Sequence, residues 1–300
     1  AQETYGEDPH HVGEMGAALT RGIQRHAMAT VKHFAANSME NARFRVDVEV
    51  DDVALHEVYL PHFKRIIDEG VACVMSAYNQ VNGQWCGDSR ELLTDILRVE
   101  WGFDGFIISD WIFGMRDAAA SLHAGLDIEM PWRMIRFSDL PAALESGEAS
   151  WEAVDRAVTN VISTLLRFDS VLSTPNPPMS VVGAPEHVAL AREVAARSVV
   201  LLRNELVDSQ PVLPLKCSSL LRIAVVGELA DQTNLGDGGS SDVYSLDNVN
   251  LLAGIRGAAG DTEIVHDDGS DVAAAAAVAA DVDVAIVVVG YTSDDEGEFI

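Results

Sequence analysis

The residues best placed to do chemistry lie in the stretch GFDGFIISDW (Gly102–Trp111), where an apolar run, Phe106-Ile107-Ile108, ends in a carboxylate, Asp110, with Trp111 directly behind it. Apolar and β-branched residues bounded by Gly105 predict a short strand buried on both faces. A charge at the mouth of such a strand either caps the following helix or takes part in catalysis, and this stretch alone supports both readings. A second acidic group, Asp294–Glu298 (DDEGE), follows the strand-like run Val284–Val289. Cleavage of a glycosidic bond needs two carboxyl groups in opposite protonation states. One attacks or stabilises an oxocarbenium-like transition state, and the other protonates the leaving oxygen. On composition alone, Asp294–Glu298 reads as a solvated loop. Lys32-His33 closes another apolar stretch; the pair either reaches solvent or, beside Asp110, hydrogen-bonds sugar hydroxyls and holds the carboxylate ionised.

Other chemistries find less support. The glycines of GDGGSS (Gly236–Ser241) match neither GxGxxG nor GxxxxGK[ST], which leaves a weak phosphate candidate. No GxSxG nucleophile elbow is present. His10-His11 follows Pro9 in a polar turn without partner ligands and is expected at the surface, whereas Asp127 and Glu129 are expected to make structural hydrogen bonds. Cys73, Cys86 and Cys217 are widely spaced, odd in number and without a CxxC pair, so free thiols are expected, with no metal and no cofactor.

These residues must be positioned by alternating elements. Met15, Leu19 and Ile23 predict one face of a helix over 13–27, and Ala29–Phe34 a strand. Leu55, Tyr59, Phe63 and Ile66 share a face of a helix predicted over Asp51–Glu69, stopped by Gly70. Val71–Tyr78 predicts a second buried strand, and Asp88 with Glu91 opens a helix through Trp101. After the Asp110 strand come a helix over 112–124 and a short strand, Leu126–Met130. Strand then helix, repeated, argues for a parallel sheet. Three successive strands ending in Lys32-His33, Tyr78-Asn79 and Asp110-Trp111 favour a barrel, which gathers groups from many strand ends, over an open sheet with one crevice. Four prolines without periodicity mark 169–186 as a linker. A helix over His187–Ser198, a run Val199–Leu202 and the buried strand in Leu221–Val226 open a second α/β domain, continued by an Ala-rich helix at Ala273–Ala280. The expected organisation is 1–168, a linker at 169–186, and 187–300.

Forty-seven acids against 20 bases give a formal charge of −27. Such a surface repels phosphate backbones, so nucleic acid is not an expected partner. Apolar runs fall short of the roughly 20 residues that span a bilayer, so no membrane association is expected. The chain opens on Ala-Gln-Glu-Thr and closes on Glu-Phe-Ile directly after a polar loop. An internal piece of a longer protein is therefore expected, cytoplasmic in the first instance and secreted in the second.

Five stretches of the first half, in order, carry a specific resemblance: ETYGEDP (Glu3–Pro9), KHFAANSMENARF (Lys32–Phe44), VMSAYNQVNGQWCG (Val74–Gly87), GFDGFIISDW and AGLDIEMP (Ala124–Pro131). The second half adds SVVLLRNE (Ser198–Glu205), LPL (Leu213–Leu215), IAVVG and LGDGGSS. Together they resemble glycoside hydrolase family 3, the β-glucosidase and β-xylosidase family. The resemblance implies part of a (β/α)8 TIM-type barrel followed by part of an α/β sandwich. It implies a retaining, exo-acting β-glucosidase with a β-glucoside or oligosaccharide substrate. A β-xylosidase or α-L-arabinofuranosidase, or a non-catalytic carbohydrate-binding segment, is the alternative. Asp110 corresponds to the family's nucleophile, Glu296 fits its acid/base position, and Lys32, His33, Met75, Tyr78 and Trp111 match residues around the cleaved sugar. Many members continue the acid/base loop as EGxDR, whereas this chain reads EGEFI, so Glu298 is a rival to Glu296. The early barrel and an Asp and an Arg normally found there are missing from the match. Phe34–Glu40 lacks the DSH or DTH element of the N-acetylglucosaminidase branch. Homo-oligomerisation of the complete protein and the phosphate-loop reading are left open.

Overall fold

The computed structural model describes residues 4–298 except Asp237 and Leu246. The described residues divide into two compact units, 4–175 and 176–298.

In the first unit three parallel strands stand side by side in chain order: β1 (Thr30–Phe34), β2 (Cys73–Ser76) and β3 (Phe106–Ile108). Val31 pairs with Val74, and Val74 with Ile107. A single parallel bridge, Ile108 to Ile128, continues the row, so the strand expected at Leu126–Met130 is one contact rather than a ladder. Asp127 and Ile128 both donate to the Ile107 carbonyl, which replaces regular pairing there. β2 and β3 are buried along their whole length, as expected of strands covered on both faces.

The helices differ from the sequence expectation in two instructive ways. The first helix runs Pro9–Ile23 and is capped by Asp8, whose carboxylate accepts the His10 and His11 N–H groups. Its buried face is Gly13, Gly16, Ala17 and Thr20, whereas Met15, Leu19 and Ile23 are exposed. Glycine at 13 and 16 lets this helix lie directly against the Pro61–Ile67 helix, where a Cβ on Gly16 would overlap the Ile66 side chain. Close backbone approach outweighs the larger apolar stripe. The helix expected over Asp51–Glu69 breaks at Leu60: a short turn at Asp52–Ala54 passes into a π-wound segment, Leu55–Tyr59, and a new helix starts at Pro61. Proline lacks the N–H needed to continue the ladder. Leu55, Phe63 and Ile66 still reach the core with Phe34, Val74 and Ile107.

After β3, residues 112–117 form turns, and the helix begins only at Ala118, N-capped by Asp117. Trp151–Arg167 is the long helix that closes this unit; Asn160 on it donates to Asp127. Asp127 also accepts from the Ile107 N–H at 2.7 Å and pairs with Arg98 at 2.7 Å. The Glu129 carboxylate accepts the N–H groups of Met134, Ile135 and Arg136, the start of the Ile135–Ser146 helix. Both carboxylates thus make the structural hydrogen bonds expected of them.

The second unit is built on a parallel sheet, β4 (Arg222–Val226), β5 (Glu263–Asp267) and β6 (Val284–Val287), with β4 in the middle. Val199–Leu202 is exposed and, among the described residues, joins no sheet. The segment expected as a linker holds two short turns of helix, Asp169–Leu172 and Met179–Val181. Among the described residues no helix is long and apolar enough to cross a membrane.

Candidate active site

Asp110 sits two residues beyond the last paired residue of β3 and is 4% exposed. Its Oδ1 accepts the Trp111 N–H at 2.7 Å. Its Oδ2 accepts no hydrogen bond from the described residues and faces Nε2 of His33, 3.6 Å away. The turn after it is tight: a Cβ on Gly114 would overlap the Asp110 backbone, so glycine is what lets the chain fold back over the carboxylate. Asp110 does not cap a helix, because the next one is eight residues on and has Asp117 for that purpose.

Each neighbouring strand delivers groups to the same mouth. β1 brings Lys32 and His33. The end of β2 brings Met75, Ser76, Tyr78 and Asn79, all buried. The Tyr78 hydroxyl donates to the Trp111 carbonyl at 2.8 Å. Asn79 Nδ2 donates to the Ala35 carbonyl and ties the ends of β1 and β2 together. Trp111 itself is 42% exposed and offers a free face at the rim.

Burial dominates the electrostatics. Loss of water raises the Asp110 carboxyl to about 6, opposed by the Trp111 N–H, the Tyr78 hydroxyl and the Arg43 and Lys32 cations. Burial, with the Lys32 and Arg43 charges adding to it, pushes His33 down to about 3, so its imidazole is neutral at pH 7. His33 therefore faces the carboxylate as a neutral ring rather than as a cation.

Arg43 was not singled out in the sequence, yet it is 3% exposed, ion-paired with Glu40 at 3.2 Å, and stacked 4.9 Å from the Tyr78 ring centroid. The Glu40-Asn41-Ala42 turn of 3-10 helix that presents it has no periodic signal, and the polar residues around it gave no hint of burial.

In the second unit the two loops of interest leave adjacent strands. GDGGSS follows β4, and the acidic segment follows β6, at the carboxyl ends of a sheet whose order reverses at β4. That is where α/β sheets gather functional loops. The acidic segment forms one turn, Ser293–Glu296, with Thr292 and Asp295 in a reciprocal capping box. Glu298 is drawn into the glycine loop: its carboxylate accepts the Ser240 N–H at 2.6 Å and the Ser240 hydroxyl at 3.2 Å. Glu296 ends the helical turn, and its side chain lies outside the described residues, as does Asp237 of the glycine loop.

Residues 1–164 match the model of the glycosyl hydrolase family 3 N-terminal domain, and 199–299 that of its C-terminal domain. The chain belongs to glycosyl hydrolase family 3. A β-glucosidase of Rhizobium radiobacter is 38% identical over 85% of this chain and 31% of its own length. Thermostable β-glucosidase B of Acetivibrio thermocellus is 34% identical over 99% of this chain and 40% of its own length. The crystal structure of a Bifidobacterium adolescentis family 3 β-glucosidase superposes with a TM-score of 0.82 at 30% identity, covering 98% of this chain and 43% of that one. β-Glucosidase 3B of Thermotoga neapolitana in complex with glucose gives 0.74 at 34% identity, covering 87% and 36%. These structures share an α/β architecture with the present chain, which spans about a third of the length of the first relatives.

Proposed function

We propose that this chain carries the catalytic carboxyl groups of a retaining, exo-acting β-glucosidase. The proposed frame is part of a (β/α)8-type barrel (1–168), a Pro-rich linker (169–186) and part of an α/β sandwich domain (187–300). The observation that carries the reading is the buried Asp110 carboxylate at the end of β3, with an oxygen left open and His33, Tyr78 and Lys32 delivered beside it by the neighbouring strands. The β-glucosidase names of its family relatives supply the substrate class.

In this mechanism Oδ2 of ionised Asp110 attacks the anomeric carbon while Glu296 gives its proton to the departing glycosidic oxygen. The bond to the aglycone breaks, and a glycosyl ester to Asp110 forms. Glu296, now ionised, takes a proton from water; that water attacks the anomeric carbon, and glucose leaves with Asp110 restored. Lys32 and the neutral ring of His33 hold sugar hydroxyls, Met75 and Trp111 wall the ring, and Tyr78 fixes the Asp110–Trp111 turn. Engagement of the Glu298 carboxylate by Ser240 favours Glu296 as the acid/base, because Glu298 is already committed to holding the glycine loop.

The test is mechanism-based trapping with an activated 2-deoxy-2-fluoro-β-D-glucoside and peptide mass spectrometry. A glycosyl adduct on Asp110 is expected. An adduct on another carboxylate would reassign the nucleophile, and labelling by the xylo-configured reagent alone would change the sugar. Glu296→Gln should most slow substrates with poor leaving groups; that pattern in Glu298→Gln instead would exchange the two glutamates.

A further inference from the structure

A groove of about 540 Å³, separate from the Asp110 carboxylate but joined to it through side chains, is lined by Phe44, Arg45, Trp85, Phe113 and Arg116. The connection is a run of ring contacts. Tyr78, whose hydroxyl holds the Trp111 carbonyl, meets Phe44 with ring centroids 4.7 Å apart, and Phe44 meets Phe113 at 5.5 Å. The groove is thus one ring away from the residues around the nucleophile, within the first unit.

Its walls are held in place. Phe44 lies just before a small sheet in which Asp47–Val48 pairs with Gln80–Val81, and Gln80–Val81 pairs with Gln84–Trp85. The Arg116 guanidinium stacks on the Trp85 ring, 4.3 Å from its centroid, and donates to the Phe44 carbonyl at 3.1 Å. Asp88 accepts the Arg116 backbone N–H, not the guanidinium. Among the described residues, neither Arg45 nor Arg116 has a carboxylate within ion-pair distance. In a chain of formal charge −27, two arginines without acidic partners around three aromatic rings are an unusual local field. Aromatic faces bind a flat ring, and an arginine at the rim binds a planar carboxylate.

We propose that this groove is an aglycone site that selects β-glucosides of anionic aromatic alcohols, the phenol ring lying among Phe44, Trp85 and Phe113 and its carboxylate meeting Arg45 and Arg116. The inference rests on the β-glucosidase reading for the sugar half of the substrate. Long-range attraction from the arginines also draws such substrates in against the repulsion of the acidic surface, which makes the effect sensitive to salt.

The experiment compares 4-carboxyphenyl β-D-glucoside with its methyl ester, using the enzyme at its full natural length. The expected result is a carboxylate-to-ester ratio of kcat/KM that falls about tenfold in Arg45→Gln/Arg116→Gln, the size of a lost charge-assisted hydrogen bond, with most of the difference removed from the parent enzyme by 1 M salt. A melting curve shows that the variant is folded. A ratio unmoved by both the substitutions and salt overturns the proposal. The corresponding 1-thioglucosides, which bind without being cleaved, give the same comparison as a ratio of Kd values. If turnover is absent but the Kd ratio falls in the variant, the groove stands and the hydrolytic reading fails. If turnover is present and neither ratio moves, the reverse holds.

Discussion

Nε2 of His33 lies 3.6 Å from Oδ2 of Asp110, with only 15% and 6% of the two side chains exposed, and burial drives the pair toward neutrality from both sides. The imidazole gives up its proton well below neutral pH, and the carboxyl keeps its proton up to about 6. In the proposed role of nucleophile, a carboxylate so placed is ionised at pH 7 without being locked into an ion pair that would blunt its attack.

The acid limb of activity follows from that pKa. If only ionised Asp110 attacks, kcat/KM for an aryl β-glucoside falls tenfold per pH unit below a midpoint near 6, since this ratio reports the free enzyme. His33, with its pKa near 3, adds nothing between pH 5 and 8. A pH–rate profile with its acid midpoint at the ordinary carboxylate value, near 4, would contradict the buried setting of Asp110.

The same shift has a cost in stability, and its sign is opposite to that of a salt-bridged acid. The folded-state pKa is raised from 3.8 to about 6, so the native state favours the protonated form. The contribution of this group to stability is fully present below pH 4, is lost as pH rises through 6, and stays absent above it. Asp110→Asn removes the titration while keeping an oxygen for the Trp111 N–H. It is expected to abolish turnover yet stabilise the protein by about 2–3 kcal/mol at pH 7–8, from a shift of about two units, with little gain at pH 4. Melting curves of both proteins at pH 4 and pH 8 check this; a variant less stable at pH 8 would mean that Asp110 is ionised at little cost.

Behind β3 lies a charge that is structural. Asp127, with no side-chain exposure, holds Arg98, Asn160 and the Ile107 N–H, while Arg98 also donates to the Gly105 carbonyl at the entry to β3. Asp127→Ala strands the Arg98 guanidinium in the interior and is expected to cost about 3–5 kcal/mol. Arg98→Met with Asp127→Leu removes both charges and should cost less than the single change. Denaturant unfolding of the two variants decides it, and equal losses would show that the backbone contact to Ile107 matters more than the ion pair.

What was legible in the sequence was what is contiguous. The Asp110 strand and the motifs that hold the residues proposed to bind sugar each lie within a short run, where the apolar pattern and the polar end can be seen together. The grouping of Arg43, Phe44, Trp85, Phe113 and Arg116 could not be read, because the small sheet joins the segment after Phe44 to the hairpin that carries Trp85, and Phe113 and Arg116 come to them from the turn after β3. Helix faces failed where small residues decided the packing. Met15, Leu19 and Ile23 make the larger apolar stripe, but Gly13 and Gly16 allow the closer approach and so turn the other face inward. The break at Leu60–Pro61 was signalled by the proline, and the regular spacing of Leu55, Tyr59, Phe63 and Ile66 masked it.

The glycine loop and the acidic segment of the second unit offer a sharper test of one steric contact. A Cβ on Gly239 would fall on the Glu298 carboxylate, which already holds the Ser240 N–H and hydroxyl. Gly239 does not adopt positive φ, so its small size and not its backbone freedom is what the contact uses. Gly239→Ala must therefore push Glu298 away and release the loop from the segment that carries Glu296. A loss of kcat of ten- to a hundredfold, about 1.4–2.7 kcal/mol, is expected, with KM for glucosides changed less. Glu298→Ala should show a loss of similar kind, because it breaks the same link from the other side. The decisive measurement is the double variant. A Cβ on Gly239 would also lie 2.6 Å from the Glu298 Cβ, so if the alanine acts only by displacing Glu298, adding Gly239→Ala to Glu298→Gly, which removes the Cβ with the carboxylate, costs nothing further, and the two effects are non-additive. Full additivity would place the damage from Gly239→Ala elsewhere in the loop.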